Sequence, residues 1–120
     1  GEWLPPGYWV MEPGWRNLFE NIPTVQFNHR VLGSPSFLGL MAFVGVAWRR
    51  SACGYYRWLL GILGCAATVQ VGLGIATLLM HVPIVLAVLH QASALLLVTI
   101  SLCVAFSGRR WGDDGEKAIL

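Results

Sequence analysis

The feature that most limits what this sequence can form is a series of three long apolar runs in a chain of only 120 residues. They extend from about residue 23 to 48, from 56 to 80 and from 83 to 106. Each is longer than the roughly 20 residues that an α-helix needs to cross the hydrocarbon core of a bilayer. None alternates with a period of two, and only helices and closed barrels satisfy their backbone hydrogen bonds inside a membrane. The sequence therefore predicts an all-α membrane protein with three transmembrane helices.

Composition supports the membrane assignment. Hydrophobic residues make up 56% of the chain and charged residues only 12%, whereas about a quarter of an ordinary soluble domain is charged. There is no block of charge and no basic-aromatic stripe, so no nucleic-acid partner is predicted and the expected environment is the lipid bilayer. The three cysteines form no CxxC pair and no even framework, and they indicate neither a zinc site nor a disulfide scaffold.

The placement of the basic residues predicts how the helices are oriented. Six of the eight Lys and Arg residues lie between residues 49 and 57 or between 109 and 117. Because basic loops stay on the cytoplasmic or matrix side, a polar, frayed tail from residue 108 to 120 is expected there. Residues 1 to 22 are then expected on the intermembrane-space or periplasmic side. Their aromatic side chains favour an interfacial segment at the headgroup level, with a short helix from about Pro13 to Glu20.

Two histidines lie at matched depth on the first and third runs. Proline is favoured at the first helical position, so these helices are expected to begin at Pro23 and Pro83. His29 and His90 follow six and seven residues later, roughly 9 to 10 Å below the helix starts at a rise of 1.5 Å per residue. Because both helices begin on the same side, the pair predicts axial ligation of one haem iron from both faces. The alternative for His29 is an interfacial side chain hydrogen-bonded to Gln26 or to water.

Small and polar neighbours accompany both histidines. Gly33 follows His29 by four residues, as Ala94 follows His90, so each lies beside its histidine on one helix face and leaves room for a porphyrin. The Arg30 guanidinium suits a haem propionate. Three amide side chains are candidates to orient the imidazoles through their second nitrogen atoms: Asn28, Gln70 and Gln91.

Several kinds of chemistry lack the residues that they need. There is no GxSxG, HExxH or P-loop motif, and no Asp or Glu lies between Asn21 and Arg110. The chain therefore has no obvious acid or base for a reaction inside the membrane. His81 precedes the third helix and is interpreted as a solvated turn residue. Pro35 is expected to kink the first helix because it removes a backbone donor.

Five sequence motifs together indicate a resemblance to a known protein family. FEN, VQFNHR, QVGLGI, VP and LHQ occur in the order and spacing of the C-terminal half of haem A synthase. From about residue 1 to 107 the chain resembles that half, in its mitochondrial and alphaproteobacterial form. The resemblance implies oxidation of the methyl group of haem O to the formyl group of haem A, for cytochrome oxidase. It also implies multi-pass insertion in the mitochondrial inner membrane or, alternatively, the bacterial plasma membrane.

The family consists of two similar four-helix halves, each with a histidine pair. Its catalytic half carries an acidic residue three positions before the histidine of an HR motif, and Gln26 holds that position here. The resemblance therefore implies the non-catalytic half, in which His29 and His90 ligate a haem B. The residues expected to contact the cofactor are His29, His90, Arg30, Gln26, Gly33, Gln70 and Gln91.

The chain begins just after the point where the fifth of the family's eight helices is expected to end. The first helix of its own four-helix haem-binding bundle and the catalytic half are then expected from other membrane subunits. A split or fragmentary synthase is the preferred interpretation, with no catalysis by this chain alone. The alternative is a non-catalytic structural or haem-binding subunit of a respiratory membrane complex. A quinone site at Gln26 and His29 is a weaker option, because aromatic stacking partners there are few beyond Phe27.

Overall fold

The chain is almost entirely helical in the computed structural model, which describes residues 3–117 and their side chains as far as residue 109. A short 3₁₀-helix (Gly14–Leu18) precedes three long helices, α1 (Ile22–Arg50), α2 (Gly54–Leu79) and α3 (Ile84–Lys117). Each long helix is long and apolar enough to cross a membrane, α3 over Ile84–Arg109. The described residues contain no strand. The prediction of an all-α, multi-pass membrane protein with three spanning helices is confirmed, and the fourth helix of the bundle stays a prediction.

The largest difference from the expected boundaries lies at the end of α3. A frayed tail was expected from residue 108, whereas α3 continues to Lys117. No proline occurs from Ile84 to Lys117, so backbone hydrogen bonding can continue past the last apolar residue. Hydropathy marks where a helix leaves the membrane and does not mark where the helix ends. Residues 118–120 of the expected tail lie outside the described residues.

Pro35 does not interrupt α1, which runs through it without a break. The hydroxyl of Ser36 donates to the carbonyl oxygen of Leu32 at 2.7 Å. This carbonyl follows that of Val31, which is the one that loses its helical donor because Pro35 has no N–H. The kink expected at Pro35 stays a prediction.

The chain divides into two units, Gly1–Gly39 and Leu40–Leu120. In the first, buried polar side chains organise the start of α1. Asn21 is the N-cap, since its Oδ1 accepts a hydrogen bond from the backbone N–H of Thr24 at 3.2 Å. Its amide nitrogen donates to the Asn17 side-chain oxygen and to the Gly7 carbonyl oxygen, both at 2.9 Å. Asn17, Asn21 and Thr24 are all buried.

Asn17 connects the 3₁₀-helix to the segment before it. Its amide nitrogen donates to the carbonyl oxygens of Met11 at 2.7 Å and Gly14 at 2.9 Å. Its side-chain oxygen accepts from the N–H of Met11 at 2.9 Å, and the hydroxyl oxygen of Thr24 accepts from the N–H of Trp9 at 3.0 Å. Amide and hydroxyl groups therefore hold this segment on α1, while its tryptophans stay exposed: Trp3, Trp9 and Trp15. The interfacial position of residues 1–22 stays a prediction.

The core of the second unit lies where the end of α1 meets α2 and α3. It consists of Val44, Leu59, Leu60, Leu63 and Val104. One glycine of α2 favours this packing, because a methyl group at Gly61 would lie 3.2 Å from Trp48, which is closer than most contacts of this kind. A methyl group at Gly64 would lie 3.7 Å from Val44, an ordinary contact distance, so packing does not require a glycine there.

We predict that Asn17→Ala releases the N-terminal segment from α1. The substitution removes the partner of the Met11 N–H and of two carbonyl groups, and each buried polar group left unpaired costs roughly 1–3 kcal/mol. Hydrogen exchange of the amides in residues 3–21, measured by mass spectrometry, should accelerate about tenfold or more.

Glu20→Gln is the control, because it removes only the exposed ion pair with Arg16. The hydrogen bond from Arg16 lowers the pKa of Glu20, so any contribution of this pair is present at neutral pH and is lost as the pH falls through that pKa. Amide hydrogen exchange in Glu20→Gln should therefore stay close to that of the unmodified chain. Equal exchange in both variants would show that the Asn17 contacts do not hold the segment.

Candidate functional site

The imidazole of His90 packs against the backbone of α2. His90 is half-buried on α3, and its ring lies over Gly74. A methyl group added at Gly74 would come within 2.9 Å of Cε1 of the imidazole, too close for any real contact. The absence of a side chain at Gly74 is therefore what allows the ring to approach α2 this closely.

One nitrogen atom of the His90 ring is hydrogen-bonded to α2. Nδ1 lies 3.1 Å from the backbone carbonyl oxygen of Gln70. Because a carbonyl oxygen can only accept, the contact assigns the proton to Nδ1 and leaves the lone pair on Nε2. Metal-ligating histidines are oriented in this way, with one nitrogen donating to a carbonyl or carboxylate and the other facing the metal. This contact orients the imidazole, while Nε2 faces the side-chain amide of Gln70 at 3.5 Å.

The side chain of Gln70 bridges α2 and α3. Its amide nitrogen donates to the backbone carbonyl oxygen of His90 at 3.1 Å and lies 3.5 Å from Nε2 of the ring. Its oxygen accepts from the hydroxyl of Ser93, which also lies 3.0 Å from the His90 carbonyl oxygen. We call Gln70, Gly74, His90 and Ser93 the His90 cluster. With no water to replace them in an apolar environment, these hydrogen bonds fix the position of the ring between the two helices.

The candidates of the first unit lie together near the start of α1. His29, Arg30 and Gly33 are exposed, and Gln26 is half-buried. No atom lies within 4 Å of the position that a methyl group at Gly33 would take. The surface at Gly33 is thus open within this unit, and the room for a porphyrin beside His29 stays a prediction.

Tyr8 of the N-terminal segment contacts α1 next to His29. Its hydroxyl donates to the side-chain oxygen of Asn28 at 3.3 Å, and its ring meets Phe27 edge to face at 5.4 Å. The Phe27 ring therefore packs against Tyr8 of the same unit. Tyr8 positions the helix turn that carries His29.

The structure brings Gln70 and His90 together, whereas Gln91 is exposed on α3. Sequence reasoning missed Ser93, although its place three residues after His90 puts both on one helix face. It expected the side chain of Gln70 beside the imidazole, where its amide does lie 3.5 Å from Nε2, but it missed the backbone carbonyl of Gln70 that contacts Nδ1. A main-chain partner leaves no signal in the side-chain pattern.

His81 lies in the turn between α2 and α3, as expected, and it is exposed. It adopts a left-handed backbone conformation with φ of 60°, and so does Val82. Its N–H donates to the carbonyl oxygen of Leu78 at 3.3 Å. Within residues 3–109, no group of three or more His, Cys, Asp or Glu side chains is placed to hold a metal ion.

Comparison with known proteins gives a consistent result. A family model described as a cytochrome oxidase assembly protein, COX15-CtaA, matches residues 1–102. A Heme A synthase of Nitrosospira multiformis is 40% identical over 92% of this chain and 31% of its own length. A Heme A synthase of a Bradyrhizobium species is 46% identical, over 81% of this chain and 27% of its own. Heme A synthase COX15 of Bos taurus is 38% identical, over 90% of this chain and 26% of its own.

The chain therefore spans less than a third of the length of these three relatives. No solved structure matches it.

We predict opposite effects for two alanine substitutions on α2. Gly74→Ala forces the imidazole away from α2 and breaks the contact between Nδ1 and the Gln70 carbonyl, a loss of about 1–3 kcal/mol. Gly72→Ala is the matched control, since no atom lies within 4 Å of the added methyl group. In a helix this control change should stabilise by about 0.4–1 kcal/mol.

Thermal unfolding of the two variants in one detergent measures the difference. Gly74→Ala should lower the Tm, and Gly72→Ala should leave it unchanged or raise it. The same Tm shift in both variants would mean that the position of the His90 imidazole does not depend on the absence of a side chain at residue 74.

Proposed function

This chain belongs to the haem A synthase family of cytochrome oxidase assembly proteins, and we propose that it forms the non-catalytic C-terminal portion of such a synthase. In this role it binds a b-type haem and supports the oxidation of haem O to haem A. The missing helices come from another part of the protein or from a partner membrane subunit. The proposed location is the mitochondrial inner membrane or the bacterial plasma membrane, since the relatives come from bacteria and from Bos taurus.

The orientation of His90 is the observation that carries this proposal. With Nδ1 directed at the Gln70 carbonyl, Nε2 is the nitrogen that would bind iron, once the Gln70 side-chain amide 3.5 Å from it turns away. We propose His90 and His29 as the two axial ligands of haem B. Gln70, Gln91, Gln26 and Gly33 would lie around the cofactor. The exposed guanidinium of Arg30 would pair with a propionate, for which its planar fork is well suited.

The residues of this chain support electron transfer better than oxygen chemistry. When bound, a haem with two histidine ligands passes single electrons and offers no open position to oxygen. Gln26 is neutral and cannot act as the base that a carboxylate would provide. No Asp or Glu occurs from residue 22 to 109, so proton transfer during oxidation of the methyl group is assigned to the missing half. The role of this chain is then to hold the imidazoles and to exclude water.

The second candidate function is a structural or haem-binding subunit of a respiratory membrane complex, derived from the synthase. It is favoured by the same neutral Gln26 and by the absence of carboxylates from residue 22 to 109. The two candidates differ in one outcome. The synthase portion supports conversion of haem O by its assembly, whereas the subunit retains haem without conversion.

The haem assignment is tested by a reduced-minus-oxidised visible spectrum of the chain purified with its partners, together with a pyridine haemochrome. We predict a low-spin b-type signal close to one haem per chain. His90→Ala and His29→Ala should each lose most of this signal because each removes an axial ligand. His81→Ala is the control and should keep the spectrum, since His81 lies exposed in the turn. Loss of haem in His81→Ala with retention in His90→Ala would contradict the ligand assignment.

The synthase assignment is tested separately by incubating the same preparation with haem O and following haem A by chromatography. Formation of haem A that stops in His90→Ala supports the synthase portion. Bound haem B without any conversion supports the respiratory subunit instead.

A further inference from the structure

The described part of the second unit carries cationic side chains without acidic ones. Arg49 and Arg50 end α1, Arg57 lies in the first turn of α2, and Arg109 follows the apolar run of α3. Residues 40–109 contain no Asp or Glu. Within this range the arginines have no carboxylate to pair with. Asp113, Asp114 and Glu116 follow on α3, but six Lys and Arg residues lie between residues 49 and 57 or between 109 and 117, so this end keeps a net positive charge.

An open hollow lies at this end of the unit. Its lining includes Ala47, Arg50, Ser51, Ala52, Tyr56 and Gly108. Three of these residues have side-chain donors, and the hydroxyl of Ser51 is already engaged with the backbone of Cys53. Arg50 has an exposed guanidinium with a fork of N–H groups, and Tyr56 has a phenolic hydroxyl. The alanines give the remaining wall an apolar character.

Tyr56 is held in place by the helices around it. Its ring packs against the core of the unit. Its hydroxyl oxygen would lie only 3.0 Å from a methyl group at Gly108. Because Gly108 has no side chain, the hydroxyl can occupy this position beside the hollow. The donor is thus positioned before any ligand arrives.

The other arginines differ from Arg50 in what they contact or line. The guanidinium carbon of Arg57 lies 4.9 Å from the ring centre of Trp48, a cation–π contact. Arg49 is exposed and does not line the hollow. Among the residues whose side chains the structure describes, Arg50 is therefore the cation that lines this hollow.

We propose that the hollow binds the phosphate group of an anionic phospholipid. Arg50 and Tyr56 donate hydrogen bonds to the phosphate oxygens, and Ala47 and Ala52 contact the apolar part of the lipid next to the headgroup. The occupant follows from charge and from depth. α1 and α2 are each long enough to cross a membrane and meet at this loop, so the hollow lies at the level of lipid headgroups. This assignment is independent of haem binding.

The test uses the full chain in nanodiscs of phosphatidylcholine with an increasing fraction of phosphatidylglycerol, with bound lipid counted by native mass spectrometry. Arg50→Gln and Arg49→Gln remove the same charge from adjacent positions, so any general attraction to an anionic surface changes equally. Only Arg50→Gln removes a donor from the hollow, and it should weaken phosphatidylglycerol binding about tenfold more than Arg49→Gln. Equal weakening would overturn the proposal in favour of general surface attraction.

Tyr56→Phe gives a second readout at constant charge. The loss of one hydrogen bond should weaken binding of phosphatidylglycerol about threefold or more, with an unchanged Tm. Unchanged binding in this variant would exclude the hollow as the site. Added inorganic phosphate should not displace the lipid; full displacement by phosphate would mean that a free anion is the ligand and would also overturn the proposal.

Discussion

The contact on which the proposed role depends is the close approach of the His90 imidazole to the backbone of α2 at Gly74. It places Nδ1 3.1 Å from the Gln70 carbonyl oxygen, where a larger residue at 74 would hold the ring away. Hydrogen bonds of Gln70 and Ser93 to the His90 carbonyl oxygen and to each other then join the two helices beside the ring. One glycine thus couples helix packing to the tautomer of the His90 imidazole.

The two units share a physical principle. In a chain that is 56% hydrophobic, apolar surface surrounds every helix and cannot by itself select which faces pack. Polar side chains make that selection, because their hydrogen bonds have few alternative partners in an apolar environment. Asn17 and Asn21 do so at the start of α1, and the His90 cluster does so between α2 and α3. The arginines near the hollow differ from these hydrogen-bonded side chains, because they have no carboxylate partner within residues 40–109.

Part of the fold and of the candidate site could be predicted from the sequence. The lengths of the apolar runs predict three helices within a few residues, because burial in hydrocarbon fixes the minimum length of a span. The proximity of Gln70 to His90 also follows from two helices joined by a short turn. The continuation of α3 to Lys117 could not be predicted from hydropathy. The buried Asn17 was missed because its partners are main-chain atoms of the same segment. The contact of the Gln70 carbonyl with His90 was missed for the same reason, because that carbonyl is also a main-chain group.

The structure places the proton of His90 on Nδ1 and the lone pair on Nε2. Long-range ¹H–¹⁵N correlation of the histidine ring nitrogens, in the haem-free chain at a pH where the imidazole is neutral, tests this tautomer. We predict a protonated Nδ1 and a Nε2 with the shift of an unprotonated nitrogen, and loss of this pattern in Gly74→Ala. A protonated Nε2 in the unmodified chain would contradict it, because that nitrogen could not then be presented to iron.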